Sequence, residues 1–258
     1  MKETGIEGKV VLITGASSGI GAAAALKFAE EKAEVVAVAR TEGSLKDICG
    51  KMREHSPQSS YIVADVTKEN AASRIIEQCI ETHGGIDILV NAAGIIGSGT
   101  IENTGIDDWD YMMNINLRAV FLLSQKALPH IIERKGNIVN VSSVTGLRAF
   151  PNVLSYCVSK AGLDQLTRCA ALELASKGVR VNAVNPGVTY TMLHRSGGMD
   201  EQTYADFLKR SKETHPLGRV GTAEEVADLI YFLASPSAGW ITGATYSIDG
   251  GRAQTCAR

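Results

Sequence analysis

The sequence predicts an α/β fold, a single domain over residues 1–258 in which a parallel sheet lies between two layers of helices. Three observations predict it. Short β-branched runs alternate strictly with longer amphipathic stretches, the rhythm of parallel strands joined by helical crossovers. The runs are near-continuous in Val and Ile, as strands buried on both faces are. With 45% hydrophobic and 21% charged residues, the 258-residue chain has the composition of one soluble core of this class.

Taken in order, strands are expected at 9–14, 34–39, 61–64, 86–90, 137–141 and 179–184, with 244–248 a weaker seventh. Helical periodicity fills 19–32, 43–54, 68–83, 107–134, 153–177 and 222–234. Stretch 186–221 breaks the rhythm, with Pro186, Gly187, Gly197, Gly198, Pro216 and Gly218 around a short helical piece at 201–212. A long excursion after a strand's carboxyl end is where an open α/β sheet carries a substrate lid, so 188–218 is the candidate lid. The plainer reading is a variable surface insertion.

Charge and cysteine usage exclude several classes. A net charge of −2 offers no electrostatic footprint for nucleic acid or an anionic membrane. Residues 1–9 are polar, without the apolar stretch of a signal peptide, and no apolar run is long enough to span a bilayer. Residues 255–258 match no lipidation or peroxisomal signal. Five cysteines, Cys49, Cys79, Cys157, Cys169 and Cys256, contain no C-x-x-C pair, which suggests neither a disulfide framework nor a metal site. A reducing, cytoplasmic setting is the expectation.

The first strand runs into Thr14-Gly15-Ala16-Ser17-Ser18-Gly19-Ile20-Gly21 and then an alanine-rich helix. Glycines there let the backbone turn tightly and approach a pyrophosphate, whose charge sits on the free N–H groups of the helix start. The spacing is G-x-x-x-G-x-G rather than the commoner dinucleotide G-x-G-x-x-G. The same letters satisfy G-x-S-x-G, a nucleophile elbow, but that motif comes after several strands and an oxyanion loop, and here it comes after one strand. At the end of the second strand the usual ribose-binding acid is replaced by Ala39 and Arg40. A guanidinium there can fork onto a 2′-phosphate, which favours NADP(H); Glu42 close by keeps NAD(H) possible.

Tyr156 and Lys160 stand four apart at the start of a predicted helix, on one face. Ser142 and Ser143 end the fifth strand at the carboxyl edge, where ligands of open sheets bind. Free tyrosine titrates near pH ~10, too high for a neutral proton shuttle. An ammonium about 4 Å away at an effective dielectric near 20 favours phenolate by roughly 4 kcal/mol, about three pKa units. A serine hydroxyl can then hold the substrate oxygen where charge develops.

These segments, with Asp65-Val66, Asn91-Ala92-Ala93-Gly94, Asn116, Asn185-Pro186-Gly187 and Asp249-Gly250-Gly251, resemble those of the short-chain dehydrogenase/reductase family across essentially the whole chain. The resemblance implies a doubly wound, Rossmann-type three-layer sandwich with a seven-stranded parallel sheet. It implies Tyr156 as general acid/base, Lys160 as its activator and a nicotinamide-ribose ligand, and Asn116 as holder of a water linking lysine to solvent. The family's serine lies thirteen residues before its tyrosine, which selects Ser143 over Ser142. Gly15, Ser17, Ser18, Gly19, Ile20, Gly21, Arg40, Asp65, Val66, Asn91, Ala92, Gly94, Pro186, Gly187, Val188 and Thr191 would bind cofactor. Of these, Asp65 would meet adenine, Asn91 would steady the central strand, and the Pro186–Thr191 segment would hold the carboxamide. Ala92 departs from the commoner N-N-A-G.

The expected reaction is hydride transfer between a carbonyl or secondary alcohol and the dinucleotide. Substrates of the 3-oxoacyl-thioester, small ketone, sugar and steroid kinds fit equally, and a weakly catalytic dinucleotide-binding regulator is the alternative class. Val144, Leu147, Phe150 and 190–199 are expected to line an apolar pocket, with His194 and Arg195 as polar contacts. His194 and His215 otherwise read as solvated loop residues, and Cys157 as a small core filler. The helix at 153–177 is apolar or small almost all round, from Ala161 and Leu163 to Leu172 and Leu174, which predicts burial on every side and a homodimer or homotetramer.

Overall fold

The computed structural model describes residues 5–193, 197–198 and 200–255. Its strands are β1 (Val10–Thr14), β2 (Glu34–Ala39), β3 (Ser60–Val63), β4 (Ile88–Asn91), β5 (Asn137–Val141), β6 (Arg180–Pro186) and β7 (Thr245–Ile248). The helices are α1 (Gly19–Glu30), α2 (Glu42–His55), α3 (Ala71–His83), α4 (Ile106–Met113), α5 (Ala119–Glu133), α6 (Val144–Leu147), α7 (Leu154–Leu174), α8 (Glu201–Thr214) and α9 (Ala223–Ala234). The seven strands form one sheet in the order β3-β2-β1-β4-β5-β6-β7, every pair parallel. The expected doubly wound architecture is thus the observed one.

Successive side chains of a strand point to opposite faces, so β1 feeds two separate cores. Val11 and Ile13 enter a core shared with Phe28, Leu45 and Ile230, from α1, α2 and α9. Val10 and Leu12 enter a second core with Ile75, Leu123, Ile131 and Leu174, from α3, α5 and α7. These two cores separate the three layers. The edge strands depart from the expectation of burial on both faces: Val63 is half-exposed in β3, and the middle of β7 is exposed. A strand with one neighbour and less helix above it keeps an open face.

Two local features also differ from the sequence reading. The single helix expected at 107–134 is interrupted by a π-helical turn, Asn114–Arg118, between α4 and α5. The short helix α6 forms directly after β5, capped by the Ser143 hydroxyl, which accepts from Thr145 N at 3.2 Å. No described helix is long and apolar enough to cross a membrane.

Candidate active site

Strand order reverses between β1 and β4, so their carboxyl ends open a crevice over the sheet. A cavity of about 730 Å³ runs along it, from Arg40 and Asp65 at one end to Ser143, Tyr156 and Phe150 at the other. Gly15 makes the turn out of β1 at φ +69, where a Cβ would come within 2.7 Å of Ala93 N. Only glycine tolerates both demands. Thr14 Oγ1 accepts from Ala92 N and Ala93 N, both at 3.2 Å, and so fixes the β4 exit against the glycine turn. The α1 N-terminus carries no acid in its first turn, and the Ser18 hydroxyl makes no capping hydrogen bond. A cradle of this kind, with free amides and no negative charge, fits a pyrophosphate.

Most of the expected cofactor residues line this cavity: Gly15, Ser17, Ser18, Gly19, Ile20, Gly21, Arg40, Asp65, Val66, Ala92, Gly94, Pro186, Gly187, Val188 and Thr191. Asn91 does not. It is buried below the crevice and donates to Asn140 Oδ1 at 2.9 Å, stitching β4 to β5. At the far end, burial would raise the Asp65 carboxyl, but hydrogen bonds from the Thr67 amide and hydroxyl, aided by Arg40 and Lys68, hold it below the usual range. Glu42 is drawn along α2 to Lys46 at 2.9 Å.

Ser143, Tyr156 and Lys160 meet on the wall of the other end. Ser142 lies beside them but its hydroxyl donates inward to Lys160 O at 3.3 Å, while the Ser143 carbonyl accepts from Asn185 Nδ2 at 2.8 Å. Lys160 Nζ donates to Val141 O at 2.8 Å and stands 5.8 Å from the centre of the Tyr156 ring. Asn116 does not line the cavity. Its amide is spent on Ile95, accepting from the backbone N and donating to the backbone O, and on the Ser159 hydroxyl. Asn116 Oδ1 and Lys160 Nζ nevertheless converge over Gly94, where an added Cβ would sit 3.2 and 3.5 Å from them.

Electrostatically the pair departs from expectation. Burial pushes the Tyr156 phenol up to about 12, with the Ser143 hydroxyl pulling the other way. Burial also brings the Lys160 ammonium down to about 8, opposed by Asp164. In the chain alone, therefore, burial sets the direction for Tyr156, upward, where the lysine charge is expected to lower it. Burial likewise raises the Asp164 carboxyl, against hydrogen bonds from Ser142 and Asn185.

Several participants escape a reading of the sequence. Asp164 extends the Tyr156, Lys160 series by another four residues, a spacing that is open to view. His215 is a correction: it is buried, 2% exposed, not a solvated loop residue. Its Nε2 accepts from Val188 N at 3.1 Å and its Nδ1 donates to Ser211 O at 2.6 Å. No local signal announces this, since Ser211 is one helical turn away but Val188 is brought to it by the fold. Of the expected pocket residues, Val144, Phe150, Met192 and Leu193 line the cavity, whereas Leu147 and Tyr190 do not. His194 and Arg195 lie outside the described residues.

The chain is similar to known proteins in sequence and fold. A family profile described as enoyl-(acyl carrier protein) reductase matches residues 15–253. The 3-oxoacyl-[acyl-carrier-protein] reductase of Thermotoga maritima is 40% identical over 247 residues, covering 95% of this chain and 98% of that protein. A short-chain dehydrogenase/reductase of unknown function from Caenorhabditis elegans, solved with cofactor, superposes with a TM-score of 0.91 at 37% identity over 97% of both chains. The 3-ketoacyl-(acyl-carrier-protein) reductase of Brucella melitensis, solved with NADH, gives 0.88 at 33% identity, covering 96% of this chain and 99% of that one.

Proposed function

Since the chain belongs to the short-chain dehydrogenase/reductase family of oxidoreductases, we propose that it transfers hydride between NADP(H) and a carbonyl or secondary alcohol substrate, with Tyr156 as the general acid/base. The observation that carries this reading is the meeting of Ser143, Tyr156 and Lys160 on the wall of a cavity that is also lined by the glycine turn. The dinucleotide supplies or accepts the hydride; the chain's own residues supply position and protons.

In the reductive direction Ser143 donates to the substrate oxygen, and Tyr156 gives its proton to that oxygen as negative charge builds there. A phenol pushed up to about 12 is protonated at neutral pH, the form a proton donor needs. Lys160, with Asn116 beside it over Gly94, lies where it can return a proton from solvent to the tyrosine. Arg40, on the cavity wall with Glu42 diverted to Lys46, supports binding of a 2′-phosphate. NAD(H) is the second reading, favoured by the Brucella relative solved with NADH. The free thiols of Cys49, Cys79, Cys157 and Cys169 suit the cytoplasm, where we place the enzyme.

Replacing Tyr156 by Phe keeps the ring and removes the proton. Turnover with a panel of ketones and aldehydes is expected to fall by roughly 10²–10⁴-fold while the dinucleotide still binds. Near-normal turnover in that variant would sink the mechanism.

A further inference from the structure

Away from Arg40 and Asp65, the charged groups that line the cavity are of one sign among the described residues. Arg148, Arg210 and Arg252 line it, and among the described lining residues the one acid is Asp65, which belongs to the opposite end with Arg40. None of the three guanidinium groups is neutralised by a carboxylate among the described residues. Arg148 donates to the backbone carbonyls of Ala253 and Thr255. Arg252 lies over the Phe150 ring, 5.0 Å from its centre, and donates to the Thr255 hydroxyl at 3.2 Å. Arg210 is held by no hydrogen bond or ion pair among the described residues. It belongs to the face of α8 that Phe207, Ser211 and Thr214 also turn to the cavity, three and four residues apart.

Like charges around one concavity repel, and the repulsion is stronger beside low-dielectric walls than in open water. A neutral ligand leaves that repulsion in place. An anion removes it, gains forked hydrogen bonds from guanidinium groups, and is concentrated by the single-signed field of the cleft. Beside them stand the apolar side chains of Val144, Phe150, Met192 and Phe207, with the hydroxyls of Ser143, Ser211 and Thr214. A ligand that uses both features carries an apolar part and a negative group.

We propose that the substrate is a carbonyl compound, or its alcohol, bearing an anionic group, carboxylate or phosphate, which Arg210 and Arg252 bind while Arg148 secures the segment that carries Arg252. The proposal rests on the hydride-transfer reading above. It concerns the opposite end of the cavity from Arg40, so it is separate from the cofactor's own phosphate.

Binding separates the two readings, because it needs no turnover. Protein loaded with oxidised NADP is titrated calorimetrically with levulinate and a longer oxo fatty acid, each beside its methyl ester, and with dihydroxyacetone phosphate beside dihydroxyacetone. The anionic member of a pair is expected to bind about tenfold tighter or more at low salt, the worth of one charge-assisted contact. Added salt should narrow the gap, and Arg210→Gln, which breaks no contact within the fold, should remove most of it. A gap in the carboxylate pairs alone or in the phosphate pair alone supports the proposal and identifies the anion. Equal affinities within every pair would overturn it, as would a gap that survives both salt and the combined Arg210→Gln, Arg252→Gln change. So would an Arg210→Gln effect confined to dinucleotide affinity. Failure of the Tyr156→Phe test, by contrast, overturns the hydride-transfer mechanism and leaves the anion result standing.

Discussion

Arg40 shows how one side chain at a strand end can select a cofactor. It comes directly after β2 at the carboxyl edge of the sheet, is exposed, and lines the cavity close enough to Asp65 to help lower that carboxyl. The absence of an acid at Ala39 or Arg40 is legible in the letters, and the geometry adds that Glu42, the one nearby rival, is engaged with Lys46. Arg40→Asp is therefore expected to replace attraction for a 2′-phosphate by repulsion. The ratio of kcat/KM for NADPH over NADH should fall by about tenfold to a hundredfold, one to two exchanged contacts at roughly 1.4 kcal/mol each per decade. An unchanged ratio would refute the role of Arg40. Tyr156 teaches the complementary lesson at the same scale. The letters announce that it neighbours Lys160, but the sign of its shift depends on how deeply both are buried, which no spacing encodes.

Among the elements, those built from local pattern are legible in the sequence and those built from tertiary contact are not. The strands and the helices flanking them fall within a few residues of their periodic runs. The π turn at Asn114–Arg118 is invisible to periodicity because its residues also suit an α-helix; what the extra residue per turn achieves is to aim Asn116 at Ile95 and Ser159. Helix α8 is anticipated as a short piece, but not the contact that anchors its end. His215, one residue past α8, accepts from Val188 N and donates to Ser211 O, and so ties the last turn of α8 to the segment after β6. That pattern needs the neutral ring with its proton on Nδ1. His215→Leu would fill the space yet leave the Val188 amide unpaired, at about 1–3 kcal/mol for a buried orphan, while Ser211 O keeps the His215 backbone N–H and the Thr214 hydroxyl. Urea denaturation should register a loss of about 1–3 kcal/mol, and dinucleotide titration a weaker Kd through the loosened Val188 segment. His215→Gln, which can both donate and accept, should recover part of each. Wild-type stability and affinity in the leucine variant would show that this contact does nothing.

For the whole molecule, the open question is what covers the outer face of α7. Its composition leads to the expectation of burial on every side, yet within one chain only the face bearing Tyr156, Leu163, Thr167 and Ala171 is covered. Leu172 is 83% exposed and Val158 is 42% exposed. The same surface continues onto the sheet edge: Arg168 on α7 donates to Thr245 of β7 at 3.3 Å, and Tyr246 and Trp240 lie exposed there. An apolar helix face beside an open edge strand is a surface that a second copy satisfies, and we propose that it forms a two-fold interface of a homodimer or homotetramer. In a two-fold interface each residue acts twice. Burying a leucine contributes about 1.5–3 kcal/mol, so Leu172→Glu removes roughly 3–6 kcal/mol per interface before any charge repulsion is counted. Analytical ultracentrifugation should find the unaltered chain as a dimer or tetramer, and the variant shifted to the smaller species at the same concentration. Because Leu172 is far out of the two cores, the variant should keep the wild-type circular dichroism spectrum. A monomeric wild type would show that no such interface forms, and a variant that assembles equally well would place it elsewhere.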